Sequence, residues 1–221
     1  MTTFVVAHGA WLGAWGWDKV AEYLRAKGHG VHVPTLSGLG ERSHLAHLPI
    51  DLTTHVFDLV NEIIWHDLTD VVLVGHSYGG FVATGVAERV SERVAAIVYV
   101  DAFIPRDGQS FEDSIGAKYG GTLVPVPEIG DDEYGSKADG DRIGALCTPQ
   151  PTGSFTECLK VTGAYLTIAR KTYVLATGWN GFAGIAAPLR DDPAWRVEEL
   201  ACGHDIPQLM PEALGALLER A

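Results

Sequence analysis

Short apolar runs, each about the length of one strand, alternate along the chain with stretches whose apolar residues recur at helical spacing. The pattern predicts strands over 3–8, 30–34, 71–76, 94–101, 172–177 and 195–201, and helices near 16–28, 53–68, 78–91, 181–190 and 207–220. Strands that alternate with helices build a mostly parallel sheet flanked by helices, so the expected fold class is α/β with six strands. Valines at 71, 72 and 74, and again at 94, 98 and 100, fit strands buried on both faces and predict the middle of the sheet. Thr53 or Thr54 is placed to cap the second helix, and Pro207 suits the first turn of the last.

One segment breaks the alternation. Between the strand ending at Asp101 and the one starting near Thr172 the chain is rich in Gly, Pro and acidic residues, and it is too long for a plain crossover. Residues 104–170 are therefore expected to form a small cap over the carboxyl edge of the sheet, between strands four and five. The stretch Glu128 to Asp141 is acidic and weakly apolar, which predicts mobility, whereas Phe155 to Ile168 carries apolar residues at helical spacing. The chain has 221 residues, 47% of them apolar, with no compositional break and no internal repeat, so residues 1–221 are expected to form a single domain.

Charge narrows the classes of partner. With 16 basic against 28 acidic residues the net charge is -12, which opposes binding to nucleic acid or to anionic lipid. Small-molecule chemistry is the expectation. No apolar run reaches the roughly 18 residues that a membrane span needs, and the first residues, without a basic or long apolar stretch, lead to the expectation of a chain that is not exported. Three cysteines, Cys147, Cys158 and Cys202, lack CxxC or CxxH spacing, so free thiols in a reducing cytoplasm are expected rather than disulfides or a zinc site.

The chemistry sits at Gly75-His76-Ser77-Tyr78-Gly79, a G-x-S-x-G that follows a buried strand and opens a helix. In such an elbow the serine is held in an unfavourable backbone conformation, and the flanking glycines let neighbouring elements approach closely. The helix N-terminus also points at developing negative charge. Ser77 is the candidate nucleophile. A serine hydroxyl needs a base to take its proton. Of nine histidines, His204 is the best placed, in the turn after the last strand and on the edge where Ser77 emerges. His8 and His76 lie within tight turns and suit hydrogen-bonded structural roles. His29, His32, His55 and His66 suit packed or solvated positions, and His44 and His47 are candidates for the pocket wall. Two donors are needed for an oxyanion: the backbone N–H of Tyr78, and that of Ala10 in the turn after the first strand.

The acid that would orient His204 is the hardest member to place. The penultimate strand ends in Gly178-Trp179-Asn180-Gly181, with no carboxylate, and Asp191 and Asp192 precede the last strand at the wrong edge of the sheet. Asp101 ends the strand that follows the nucleophile's helix, at the correct edge, and preserves the order Ser, Asp, His. Two alternatives stand beside it: Asp101 as a turn cap, and Asn180 orienting His204 without a carboxylate. Gly9, Trp11, Phe103 and Tyr165, with the Tyr78 ring, are candidates for an apolar substrate pocket.

The stretches HGAWLGAW (8–15), TLSGLGERSH (35–44), GHSYGG (75–80) and DAFIPRDGQS (101–110) together resemble one branch of the α/β-hydrolase superfamily. That branch includes bacterial carboxylesterases, pyrethroid-hydrolysing ones among them, and more distantly plant methylesterases and hydroxynitrile lyases. The resemblance implies the α/β-hydrolase fold and a serine nucleophile. Where the lyases carry a threonine in the oxyanion turn and a lysine after the catalytic histidine, this chain has Gly9 and Asp205, which argues against cyanohydrin cleavage. Leu12 stands where relatives often have histidine.

These readings lead to the expectation of a serine esterase that cleaves a small, largely apolar carboxylic ester through an acyl-enzyme, with no cofactor and no metal. The rivals are a thioesterase, lactonase or acyl-transfer catalyst with the same triad, and a non-catalytic small-ligand receptor on the same fold. The oligomeric state is left open.

Overall fold

The computed structural model of the chain describes residues 1–128 and 136–221. Its frame is β1 (Thr3–Ala7), α1 (Asp18–Ala26), β2 (Gly30–His32), α2 (Leu52–Trp65), β3 (Val71–His76), α3 (Gly79–Arg89) and β4 (Val94–Val100). An excursion follows, carrying α4 (Phe111–Ile115), β5 (Leu123–Val124), α5 (Lys137–Gly144), β6 (Gln150–Pro151) and α6 (Gly153–Thr156). The frame resumes with β7 (Arg170–Ala176), α7 (Ala183–Ala186), β8 (Trp195–Leu200), α8 (Ile206–Leu209) and α9 (Pro211–Leu218). Six strands form one sheet in the order β2-β1-β3-β4-β7-β8, every pairing parallel, while β5 and β6 make a separate antiparallel pair.

Alternation along the strands splits the core in two, because successive side chains face opposite sides of a sheet. Val5, Val71, Leu73, Ile97 and Tyr99 pack with α2 and α3, whereas Phe4, Val6, Val72, Val74 and Val98 pack with α1 and α9. All six residues of β3 are buried, as its valines predict, and Gly79 through Ala87 of α3 are buried with them. This places the β3–α3 junction at the centre of the molecule.

Several elements differ from the pattern for local reasons. The cap of α2 is Asp51, not Thr53 or Thr54: Asp51 Oδ1 accepts the Thr54 N–H at 2.8 Å and Thr54 Oγ1 accepts the Asp51 N–H at 3.4 Å, a reciprocal box. Thr53 instead donates through its N–H and hydroxyl to the Glu157 carboxylate, each at 2.7 Å. The final helix breaks between Leu209 and Pro211, since proline lacks a donor and disfavours helical geometry at Met210. Pro188 likewise leaves 181–190 as α7 and a short 3-10 turn. The stretch 155–168 is not one helix: α6 ends at Thr156, Gly163 adopts φ 105°, and a 3-10 turn spans Ala164–Thr167. Its apolar residues Phe155, Leu159 and Ile168 reach the core one by one. Residues 129–135, the centre of the acidic stretch expected to be mobile, lie outside the described residues. Among the described residues, no helix is long and apolar enough to cross a membrane.

Candidate active site

The β3–α3 turn explains the glycines around Ser77. A Cβ on Gly79 would fall onto the Ala7 carbonyl, and one on Gly80 onto the Phe103 carbonyl, so only glycine lets α3 start this close to its neighbours. Ser77 itself holds φ 55°, a left-handed conformation that costs an L-residue roughly 1–3 kcal/mol. Its carbonyl accepts the Gly80 N–H at 3.1 Å and the Phe103 N–H at 3.2 Å. The turn thereby aims the side chain away from the helix and into a cavity of about 260 Å³ that Ser77 and His204 both line.

Asp101 follows β4 at φ 41° with its side chain fully buried. Its Oδ2 lies 2.7 Å from His204 Nδ1 and accepts the Trp179 indole N–H, also at 2.7 Å, while Oδ1 accepts the Ala176 N–H at 3.0 Å. A buried carboxylate is tolerated where each oxygen has a donor, and both do. His204 has Asp101 on Nδ1, which leaves Nε2 as the ring nitrogen free to serve Ser77. The Phe182 ring stacks on the imidazole at 5.2 Å and 8°, and Trp179 lies against it at 4.7 Å. The structure therefore brings Ser77, His204 and Asp101 to one edge of the sheet, and Asn180 makes no hydrogen bond to His204 among the described residues.

On the other side of Ser77 lies the turn after β1. Leu36 N–H donates to His8 Nε2 at 3.0 Å, so the ring proton must sit on Nδ1, which donates to the Gly9 carbonyl at 2.8 Å. In a trans peptide the C=O and N–H point in opposite directions. Holding the Gly9 carbonyl therefore turns the Ala10 N–H away from His8, and Gly9 and Ala10 line the same cavity as Ser77. Burial lowers His8 to about 4, which keeps it neutral. Among the described residues, neither the Ala10 nor the Tyr78 N–H has a protein acceptor. Two open donors beside a serine suit a developing oxyanion.

Gly9, Trp11 and Phe103 line the cavity, joined by Phe111, Trp179 and Phe182, which the sequence reading did not single out. A W-x-x-F run directly after the penultimate strand is the signal that could have found the last two. Tyr165 is elsewhere: Glu88 holds its N–H at 3.2 Å and those of Thr162 and Gly163 at 2.6 and 3.2 Å, so the 3-10 turn stays on the far end of α3. The Tyr78 ring is buried beneath the cavity, its hydroxyl donating to His55 Nδ1 at 2.9 Å while His55 Nε2–H donates to the Ser37 carbonyl at 2.9 Å. His44 and His47 are exposed and do not line the cavity. Cys147 does, and burial pushes its thiol up to about 12, so it stays protonated.

Asp205, next to His204, is 1% exposed with neither carboxylate oxygen hydrogen-bonded among the described residues. Burial pushes it up to about 7, against the opposing pull of His204, Arg142 and Lys19. Among the described residues, His32, Glu62 and His66 form the one group with metal-ligand geometry. They pair with each other, His32 Nδ1 2.7 Å from Glu62 Oε1, and none lines the cavity.

Residues 4–217 match the model of the alpha/beta hydrolase family. Over 241 aligned positions the chain is 34% identical to a carbendazim hydrolyzing esterase from Nocardioides sp. (strain SG-4G), covering 99% of this chain and 98% of that one. It is 31% identical to methylesterase 2 of Arabidopsis thaliana over 62% of this chain and 53% of that protein. Among solved structures, an extracellular alpha/beta-hydrolase from a Paenibacillus species, described as sharing homology with tobacco salicylic acid binding protein 2, superimposes with a TM-score of 0.84 at 26% identity, covering 100% of this chain and 99% of that chain.

Proposed function

The chain belongs to the alpha/beta hydrolase family, and on that premise we propose that it is a serine esterase that hydrolyses a small, largely apolar carboxylic ester through an acyl-enzyme. The observation that carries the reading is the 2.7 Å contact between His204 Nδ1 and the buried Asp101, in the cavity that Ser77 also lines. The similarity to the Nocardioides esterase over nearly the whole chain supports it.

In this reading Ser77 Oγ attacks the ester carbonyl carbon as its proton passes to His204 Nε2. The carbonyl oxygen becomes an oxyanion held by the N–H groups of Ala10 and Tyr78. Collapse breaks the bond to the alkoxy oxygen, which leaves with the proton from His204. Water then attacks the acyl carbon, again giving its proton to His204, and the second collapse returns that proton to Ser77 and frees the acid. Asp101 keeps the imidazole in the Nδ1–H tautomer and stabilises the imidazolium formed in each half. No step calls on a cofactor. The aromatic walls and the cavity of about 260 Å³ favour a compact, weakly polar acyl or alcohol group. The free thiols of Cys147, Cys158 and Cys202 fit a reducing cytoplasm, and the fold is read as a single domain with residues 104–170 as its cap.

The test is turnover of a chain-length series of p-nitrophenyl esters, with intact-mass labelling by a fluorophosphonate. Ser77→Ala and His204→Ala should lose at least about 10⁴-fold in kcat, and Asp101→Asn about 10³–10⁴-fold, with the fold retained. A folded Ser77→Ala with full activity would sink the assignment. Labelling at Ser77 without ester turnover would move the reading to thioester, lactone or acyl-transfer chemistry, or to a receptor.

A further inference from the structure

The turn that carries Ala10 is held from the cap. Trp11 adopts φ 60°, a conformation a bulky L-residue leaves unless its surroundings enforce it. Both of its backbone polar groups are taken by one cap segment: the Trp11 N–H donates to Gln150 Oε1 at 2.9 Å, and the Trp11 carbonyl accepts the Thr148 N–H at 2.9 Å. Gln150 lies 139 residues away in sequence and is completely buried. Its amide orientation is determined, because a backbone N–H only donates and so Oε1 must face Trp11. The other end then donates from Nε2 to Ser154 Oγ at 2.7 Å, and Ser154 passes its own hydrogen to the Pro151 carbonyl at 2.7 Å. Phe155, on the same segment, packs edge-on against the Trp11 ring at 5.4 Å and against the Tyr78 ring at 5.5 Å. One short piece of cap thus touches Trp11, which follows Ala10, and Tyr78, which follows the nucleophile.

We propose that Gln150 is a positioning residue for acyl transfer, holding the Ala10–Trp11 peptide so that the neighbouring Ala10 N–H stays aimed at the oxyanion. The proposal rests on the serine-esterase reading above. An apolar side chain of the same length would fill the space but would leave the Trp11 N–H without its acceptor, so volume alone does not account for an amide here. What the amide adds is an acceptor for one specific N–H. Without it, Trp11 relaxes out of the left-handed region, the Ala10–Trp11 peptide rotates, and the Ala10 N–H swings away from the position fixed on its other side by His8. Ground-state binding, set by the aromatic walls, changes little, because the oxyanion forms only on the way to the tetrahedral intermediate.

The experiment compares Gln150→Met, which keeps length and loses the acceptor, with Gln150→Glu, which keeps the acceptor, using p-nitrophenyl butyrate on the full chain. Gln150→Met should lose 10- to 100-fold in kcat with KM within about 3-fold of wild type, and should weaken inhibition by an aryl trifluoromethyl ketone, which forms a tetrahedral adduct, by the same factor. Gln150→Glu should recover most of that loss. A folded Gln150→Met with wild-type kcat, or one whose only change is a raised KM, overturns the positioning role. Should Gln150→Met fail to fold, Ser154→Ala keeps the test by freeing the Nε2 end: its kcat should fall at least 3-fold at unchanged KM, and an unchanged kcat overturns the proposal. If wild type neither labels with fluorophosphonate nor turns over any ester, the esterase reading falls and takes this role with it; loss of the Gln150 effect alone leaves that reading standing.

Discussion

Three non-glycine residues around the cavity, Trp11, Ser77 and Asp101, sit at positive φ, and each is pinned by hydrogen bonds from a different element. Strain of this kind persists only where the surroundings over-determine it. The strain at Ser77 is legible in the G-x-S-x-G pattern, but that at Trp11 is not, because its enforcing partners, Thr148 and Gln150, lie far along the chain in the excursion between β4 and β7. Asp101 was legible as the residue at the correct strand end. Trp179, which completes its hydrogen bonding, was not. Asp205 yields a prediction that belongs to this scale. An acid whose folded pKa is raised binds a proton more tightly in the native state, so its contribution to stability is lost as pH rises through the folded value. That window runs from the ordinary aspartate range up to about 7. Asp205→Asn removes the loss, and should stabilise the protein by roughly 2–3 kcal/mol more at pH 8 than at pH 5. Equal gains at both pH values in urea unfolding would show that the carboxylate is not held protonated.

At the level of elements, the helices and strands of the frame follow from periodicity, and their ends from side chains near in sequence. The exceptions are instructive. The helical spacing of 155–168 is real, yet Glu88 on α3 takes the N–H groups of Thr162, Gly163 and Tyr165, and a chain whose donors are captured from outside has no need of helix. Burial pushes the Glu88 carboxyl up, but these donors together outweigh it and hold the group below the usual range. Glu88→Ala should therefore cost about 1–2 kcal/mol, read as a lower urea midpoint, with kcat on p-nitrophenyl esters unchanged, since the tether lies at the far end of α3 from Ser77. A drop in kcat at full stability would mean that the 3-10 turn reaches the active site after all. The same logic accounts for Tyr165: its apolar ring suited a pocket, but the tether decides where it goes.

Across the whole molecule, three histidines, His8, His55 and His76, are fully buried, and burial lowers the pKa of each. A base lowered in the folded state leaves the unfolded chain binding more protons as pH falls below the ordinary histidine value of about 6.5, so stability is full above that value and declines beneath it. For His8 the decline continues to about 4. Asp205 works in the opposite sense over much of that window and offsets one of the three protons. The net slope should approach about 1.4 kcal/mol per pH unit for each uncompensated proton, measured as urea-derived stability between pH 7 and pH 5. A flat profile would show that these imidazoles are not buried neutral. Sequence by itself determined the parallel α/β sheet, the elbow at Ser77, the histidine after the last strand and the edge on which they meet, because periodicity and turn chemistry act between residues a few positions apart. Only the tertiary structure decided between Asp101 and its alternatives as the partner of His204, which aromatics wall the cavity, and that Gln150 accepts the Trp11 N–H, because those contacts join residues 78 to 139 positions apart and no local pattern encodes the distance between them.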